Sequence, residues 1–136
     1  MKHKGETCWM TEERDHNVRQ VYKRILAEVG FSLPRMEIYL RVAQSRARRF
    51  WVVPSSAKRT LYRMMYGKPI SNQSPERRRM YHEIIARVRE YMHNNTRASL
   101  SQAVKWVVSQ PAPEFYLSIN TVKHIILASS RDDIKD

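Results

Sequence analysis

Basic side chains that could bind phosphate cluster in the middle of the chain. Six of them lie on one predicted helix or in the loop that precedes it: Arg46, Arg48, Arg49, Lys58, Arg59 and Arg63. No Asp or Glu occurs from Ile38 to Pro75, so no carboxylate in that stretch balances these cations. Long basic side chains neutralise phosphates, although their stems can also cover apolar surface. The cluster predicts a phosphate-binding surface, and we expect these six residues to contact nucleic acid.

The charge of the whole chain supports the same interpretation. It has 25 Lys and Arg against 13 Asp and Glu, a formal net charge of +12. A sustained positive potential is typical of nucleic-acid binding, and we expect DNA as the partner. The alternatives are a solvated cationic face and an acidic protein partner. If the second alternative holds, the chain is a structural or packaged protein that binds an acidic protein.

A second candidate group lies on the last predicted helix. Asn120, Thr121, Lys123 and His124 follow Ser118, which is expected to cap that helix. Their side chains offer hydrogen-bonding groups to base edges and to the phosphate backbone. The sequence leaves open whether this helix or the one that carries Lys58 is the main contact. It also leaves open the oligomeric state and the choice between single and double strands.

Two aromatic pairs precede these helices, Phe50-Trp51 and Phe115-Tyr116. Alternate residues of an extended segment face opposite sides, so Phe50 and Phe115 should be buried, with Trp51 and Tyr116 nearer the surface. Trp51 and Tyr116 are therefore candidates for stacking on bases, as in single-strand binders. Anchoring of the core is the competing interpretation.

Residues for catalysis or metal binding form no recognisable pattern. The five histidines are scattered without metal-ligand spacing, and the chain has one cysteine and three glycines. A disulfide framework, a cysteine-rich zinc site and a glycine-rich phosphate loop are thus excluded. We expect a non-enzymatic protein with no metal and no cofactor.

Apolar residues recur at helical spacing along most of the chain. The pattern predicts an all-α protein of about six helices, with short extended segments near 50–53 and 115–117. Pro75 after Ser74, and Gln102 three residues after Ser99, are typical helix starts. Gly30 and Gly67 are expected to end helices.

The sequence also repeats itself. Residues 46–58 match residues 111–123 at an offset of 65, and residues 21–29 resemble residues 80–88. We interpret this as two tandem, similar halves of three helices each. The expected divisions are a flexible N-terminus (1–10), a first helical half (11–67), a linker (68–73), a second helical half (74–129) and an acidic tail (130–136).

Residues 117–126 read Leu-Ser-Ile-Asn-Thr-Val-Lys-His-Ile-Ile. This run resembles the recognition segment of LuxR-type helix-turn-helix regulators, in which Ser-x-x-Thr-Val-Lys opens the DNA-reading helix. The resemblance covers about ten residues and implies that Asn120, Thr121, Lys123 and His124 face DNA.

The duplicated aromatic motif, with Pro-Ala-Pro before its second copy, resembles a small uncharacterised family of gut Bacteroidota and their phages. The chain departs from that pattern at Val53 and Pro54. The resemblance implies a phage or mobile-element context and no mechanism. No apolar run approaches the ~20 residues of a membrane span. We therefore expect a location in the bacterial host cytoplasm or the virion.

Overall fold

A computed structural model describes the backbone of residues 2–135 and the side chains of residues 9–128. Within these residues the chain forms six α-helices and no β-strand, which confirms the predicted all-α class. The helices are α1 (Lys2–Val29), α2 (Arg35–Ala43), α3 (Pro54–Met65), α4 (Pro75–Asn94), α5 (Leu100–Val108) and α6 (Ile119–Lys135).

The predicted capping residues set several of these boundaries. The Ser74 hydroxyl accepts a hydrogen bond from the Arg77 backbone N–H at the start of α4. Ser99 and Gln102 form the reciprocal capping box that begins α5. Gly30 and Gly67 follow α1 and α3 with φ angles of 59° and 73°, a left-handed conformation that costs glycine little.

The outer ends of the first and last helices differ from the prediction. Helix α1 begins at Lys2, so the backbone of residues 2–10 is helical and continuous with the rest of α1. Helix α6 continues to Lys135, through most of the predicted tail. Residues 2–10 contain one glycine and no proline, and nothing after Ser118 is glycine or proline. No strong helix-breaking signal therefore stops either helix.

The helices pack as two compact units that mix the two sequence halves. One unit comprises Met1–Ala47 and Pro113–Asp136, and in it α1, α2 and α6 pack together. The other comprises Arg48–Ala112, and in it α3, α4 and α5 pack together. The unit boundaries therefore do not fall in the predicted linker at 68–73. The third helix of each predicted half (11–67 and 74–129) instead packs with the first two helices of the other half.

The phenylalanines that follow the two unit boundaries are both buried. The Phe50 backbone N–H donates to the carbonyl of Val108 at 3.0 Å, which joins it to the end of α5. The Phe115 N–H donates to the carbonyl of Ala43 at 3.1 Å, at the end of α2. The segments around them are non-helical, as predicted, and each aromatic ring is part of the core of its own unit.

Replacement of Ser99 by alanine is expected to lower the free energy of unfolding by about 1 kcal/mol, because both bonds of the capping box depend on this residue. Urea unfolding followed by circular dichroism measures the change. Ser71→Ala in the α3–α4 connection is the matched control and should leave the midpoint unchanged. Equal midpoints for both variants would contradict the role of the cap.

Candidate nucleic-acid interface

The two units differ sharply in charge. Residues 48–112 contain thirteen Lys and Arg and three Glu, a formal net charge of +10. The rest of the chain contains twelve Lys and Arg and ten Asp and Glu, a net charge of +2. We call Arg48–Ala112 the basic unit. Most of the charge excess found in the sequence is thus concentrated on α3, α4, α5 and their connections.

A cationic pocket of about 380 Å³ opens on the basic unit at α3, the α3–α4 connection and α4. None of its nine described lining residues is acidic. They are Ser56, Arg59, Thr60, Arg63, Ile70, Asn72, Gln73, Arg77 and Tyr81. Three guanidinium-bearing residues and several hydroxyl and amide groups therefore share one cavity. We call it the three-arginine pocket.

Helix α3 contributes Arg59 and Arg63 to the pocket. The opposite face of α3 buries Ala57 and Leu61. Arg59 and Arg63 are four residues apart, so they lie together on the outer face and point away from the core. Both arginines are exposed, and neither has a salt-bridge partner within the part of the chain that the structure describes. Their charge is therefore available to an external anion.

Arg77, in the first turn of α4, is held more rigidly than the other two arginines. Its Nε donates to Gln73 Oε1 at 3.3 Å, and its Nη2 donates to the Tyr81 hydroxyl at 3.0 Å. Its guanidinium carbon lies 5.6 Å from the centroid of the buried Tyr81 ring. These contacts use some of the five N–H donors of the guanidinium group and orient the remaining ones. Arg77 is thus a preorganised cation at the pocket.

The other predicted cations of the central cluster lie elsewhere. Lys58 donates to the Ser101 hydroxyl at 2.7 Å, and its Nζ lies 6.0 Å from the Tyr62 ring centroid. Arg49 is half-buried against Trp51, with its guanidinium carbon 5.7 Å from the ring centroid, and burial lowers the pKa of Arg49 from its ordinary value. Arg48 is exposed on the basic unit.

Arg46 belongs to the other unit, as do all the predicted residues of α6. Asn120, Lys123 and His124 are exposed there. Thr121 is half-buried, and its backbone N–H donates to the Ser118 hydroxyl at 3.1 Å, which confirms Ser118 as the cap. The six central cations and the α6 group therefore do not belong to one compact unit.

The connection before α6 is longer than a helix-turn-helix allows. Ten residues, 109–118, separate the end of α5 from the start of α6. A helix-turn-helix has a turn of about three or four residues. Helices α5 and α6 therefore do not have the short connection of a helix-turn-helix.

Tyr116 is not available for stacking on bases, so the expectation that it lies nearer the surface is wrong. Its side chain is 7% exposed, and its backbone has a φ angle of 58°. A left-handed residue interrupts the alternation of an extended segment, so Phe115 and Tyr116 are both buried. Trp51 is partly exposed and lies beside Arg49.

Sequence reasoning missed Arg77, Gln73 and Tyr81 as pocket residues. Arg77 stands in a run of three arginines just after the Ser74-Pro75 helix start. That position was a usable signal, because it places cations on the first turn of a well-defined helix. Gln73 and Tyr81 are recognisable only from their hydrogen bonds to Arg77.

No metal-binding group of three or more His, Cys, Asp or Glu occurs among the described residues. Within the same residues, no helix has the length and apolar character needed to cross a membrane. No protein-family model, curated protein or solved structure matches the chain.

Proposed function

We propose that this chain is a non-enzymatic DNA-binding protein that contacts phosphates through its basic unit. The observation that carries the proposal is the three-arginine pocket, in which Arg59, Arg63 and Arg77 line one cavity with no acidic residue. Cationic clefts attract anions, and the planar guanidinium group of arginine matches the geometry of phosphate oxygens.

The distribution of charge extends this argument beyond the pocket. With a net charge of +10 on 65 residues, the basic unit carries many more cations than one small anion requires. A polyanion can engage several of these cations at once and release its own counterions. We therefore propose that the ligand is a polymer rather than a free phosphate compound.

The proposal includes a phage or mobile-element setting, which rests on the resemblance of the aromatic motif. It also includes a duplicated architecture. Supporting the duplication, the matched residues Phe50 and Phe115 are both buried and both donate a backbone hydrogen bond to the carboxyl end of a helix. The α6 residues are a secondary contact in this proposal, since the unit that carries them has a net charge of only +2.

Titration of a dye-labelled random 20-nucleotide DNA, followed by fluorescence anisotropy at several salt concentrations, tests the proposal. The expected result is micromolar binding that weakens as salt is added. A plot of the logarithm of the association constant against the logarithm of the salt concentration should be linear, with a slope of about −3 or steeper if four or more phosphates are contacted. Both a duplex and a single strand should be titrated. If neither the duplex nor the single strand shows salt-dependent binding, the proposal is overturned and an acidic protein partner is favoured.

A further inference from the structure

We propose that the basic unit prefers single-stranded nucleic acid and that Tyr62 of α3 and Tyr66, the residue that follows α3, stack on its bases. This inference rests on the proposed function and specifies its ligand. It starts from a pair of exposed aromatic residues beside the three-arginine pocket. The pair was not among the stacking residues expected from the sequence.

Tyr62 and Tyr66 form an exposed aromatic pair one helical turn apart. Their ring centroids are 6.1 Å apart and their planes differ by 8°, so the rings are nearly parallel. Tyr62 is 46% exposed and Tyr66 is 75% exposed. Mutual contact of such a pair adds only a little to helix stability, and most of the Tyr66 ring stays in water. Aromatic surface of this kind is available to a ligand.

The surroundings of the pair are cationic. Lys58 lies one turn before Tyr62, with its Nζ 6.0 Å from the Tyr62 ring centroid. Helical spacing places Arg59 and Arg63 in the row next to the two tyrosines, on the side of the three-arginine pocket. An aromatic row and a cationic row thus run side by side along the exposed face of α3.

This arrangement fits a single strand better than a duplex. Nonspecific single-strand binders combine a positively charged groove for the backbone with aromatic rings on which successive bases stack. In a duplex the base faces are already stacked on one another, whereas the bases of a single strand are accessible. The tyrosine row can therefore distinguish the two forms, while the arginine row binds phosphates in both.

Anisotropy titrations with three probes of equal length test the inference at one fixed salt concentration. The probes are a 20-nucleotide single strand, a blunt-ended duplex of 20 base pairs, and a 20-nucleotide strand that carries abasic sites instead of bases. The wild-type protein is expected to bind the single strand about tenfold or more tightly than either other probe, because only that probe offers free bases. An RNA strand of the same sequence shows whether the sugar matters.

A matched pair of variants locates the stacking. Tyr62→Leu with Tyr66→Leu removes both rings and no charge, so single-strand affinity should fall about tenfold or more, with an unchanged salt slope and unchanged duplex affinity. Tyr62→Phe with Tyr66→Phe keeps the rings and should stay within about twofold of wild type. Circular dichroism melting checks that both variants fold.

The outcomes separate this inference from the proposed function. Equal or tighter binding to the duplex, or equal single-strand affinity of the leucine and phenylalanine variants, would overturn the single-strand inference and leave phosphate binding intact. Absence of salt-dependent binding to all probes would overturn both. A leucine variant that loses affinity only for the base-bearing single strand would support the inference.

Discussion

Replacement of Arg59 and Arg63 together by glutamine is expected to weaken DNA binding about 150-fold or more at ~100 mM salt. Both arginines line the three-arginine pocket, both are exposed, and neither has a salt-bridge partner among the described residues. A hydrogen bond to a charged group contributes roughly 1.5–3 kcal/mol, so two lost phosphate contacts account for this factor. The slope of log Kd against log salt should fall by about two, one for each arginine.

Arg24→Gln with Arg41→Gln is the matched control for that experiment. It removes the same formal charge from exposed helical positions, but these arginines lie in the other unit and each is near a glutamate four residues away. Exposed ion pairs of this type contribute little to stability. We expect binding within about twofold of wild type, since no phosphate contact is lost. Equal losses in the two double variants would show that net charge, not the pocket, determines affinity.

Replacement of Phe50 by alanine is expected to lower the free energy of unfolding by about 3–5 kcal/mol, as for other large-to-small changes of buried aromatic residues. The Phe50 side chain is 1% exposed in the core of the basic unit, and the guanidinium carbon of Arg87 lies 5.1 Å from its ring centroid. Urea unfolding of the full chain measures the loss, which is a large part of the 5–15 kcal/mol typical of small proteins.

Phe31→Ala provides the control for Phe50→Ala. Phe31 lies after α1 and is 87% exposed, so its removal should change the unfolding free energy by less than about 0.5 kcal/mol. The contrast tests whether the aromatic residue before α3 is a core anchor. A small effect of Phe50→Ala, similar to that of Phe31→Ala, would contradict the packing of the basic unit.

Local sequence signals predicted the helices well, because each signal acts within a few residues. Ser74 followed by Pro75, and the box of Ser99 and Gln102, specify helix starts through bonds to nearby backbone groups. Tertiary partners are not local. The helical spacing of apolar residues predicted the helices, but nothing in that spacing shows that α4 and α5 cover the face of α3 that carries Ala57 and Leu61.

The same distinction applies to the candidate site. Arg59 and Arg63 were predicted because a long acid-free stretch surrounds them in the sequence. Arg77 joins them only through the packing of α3 with α4. Tyr116 was misjudged because the rule of alternating sides assumes extended dihedral angles, and its φ angle is 58°.

The most direct test of phosphate binding at the three-arginine pocket is an NMR titration of the ¹⁵N-labelled chain with a 12-nucleotide DNA strand. At 16.2 kDa the free protein is small enough for resolved arginine Nε–H and backbone amide signals. We expect the largest shifts at Arg59, Arg63 and Arg77 and at the amides of α3 and the start of α4. Largest shifts at Asn120, Lys123 and His124, with the three arginines unchanged, would contradict the proposed site.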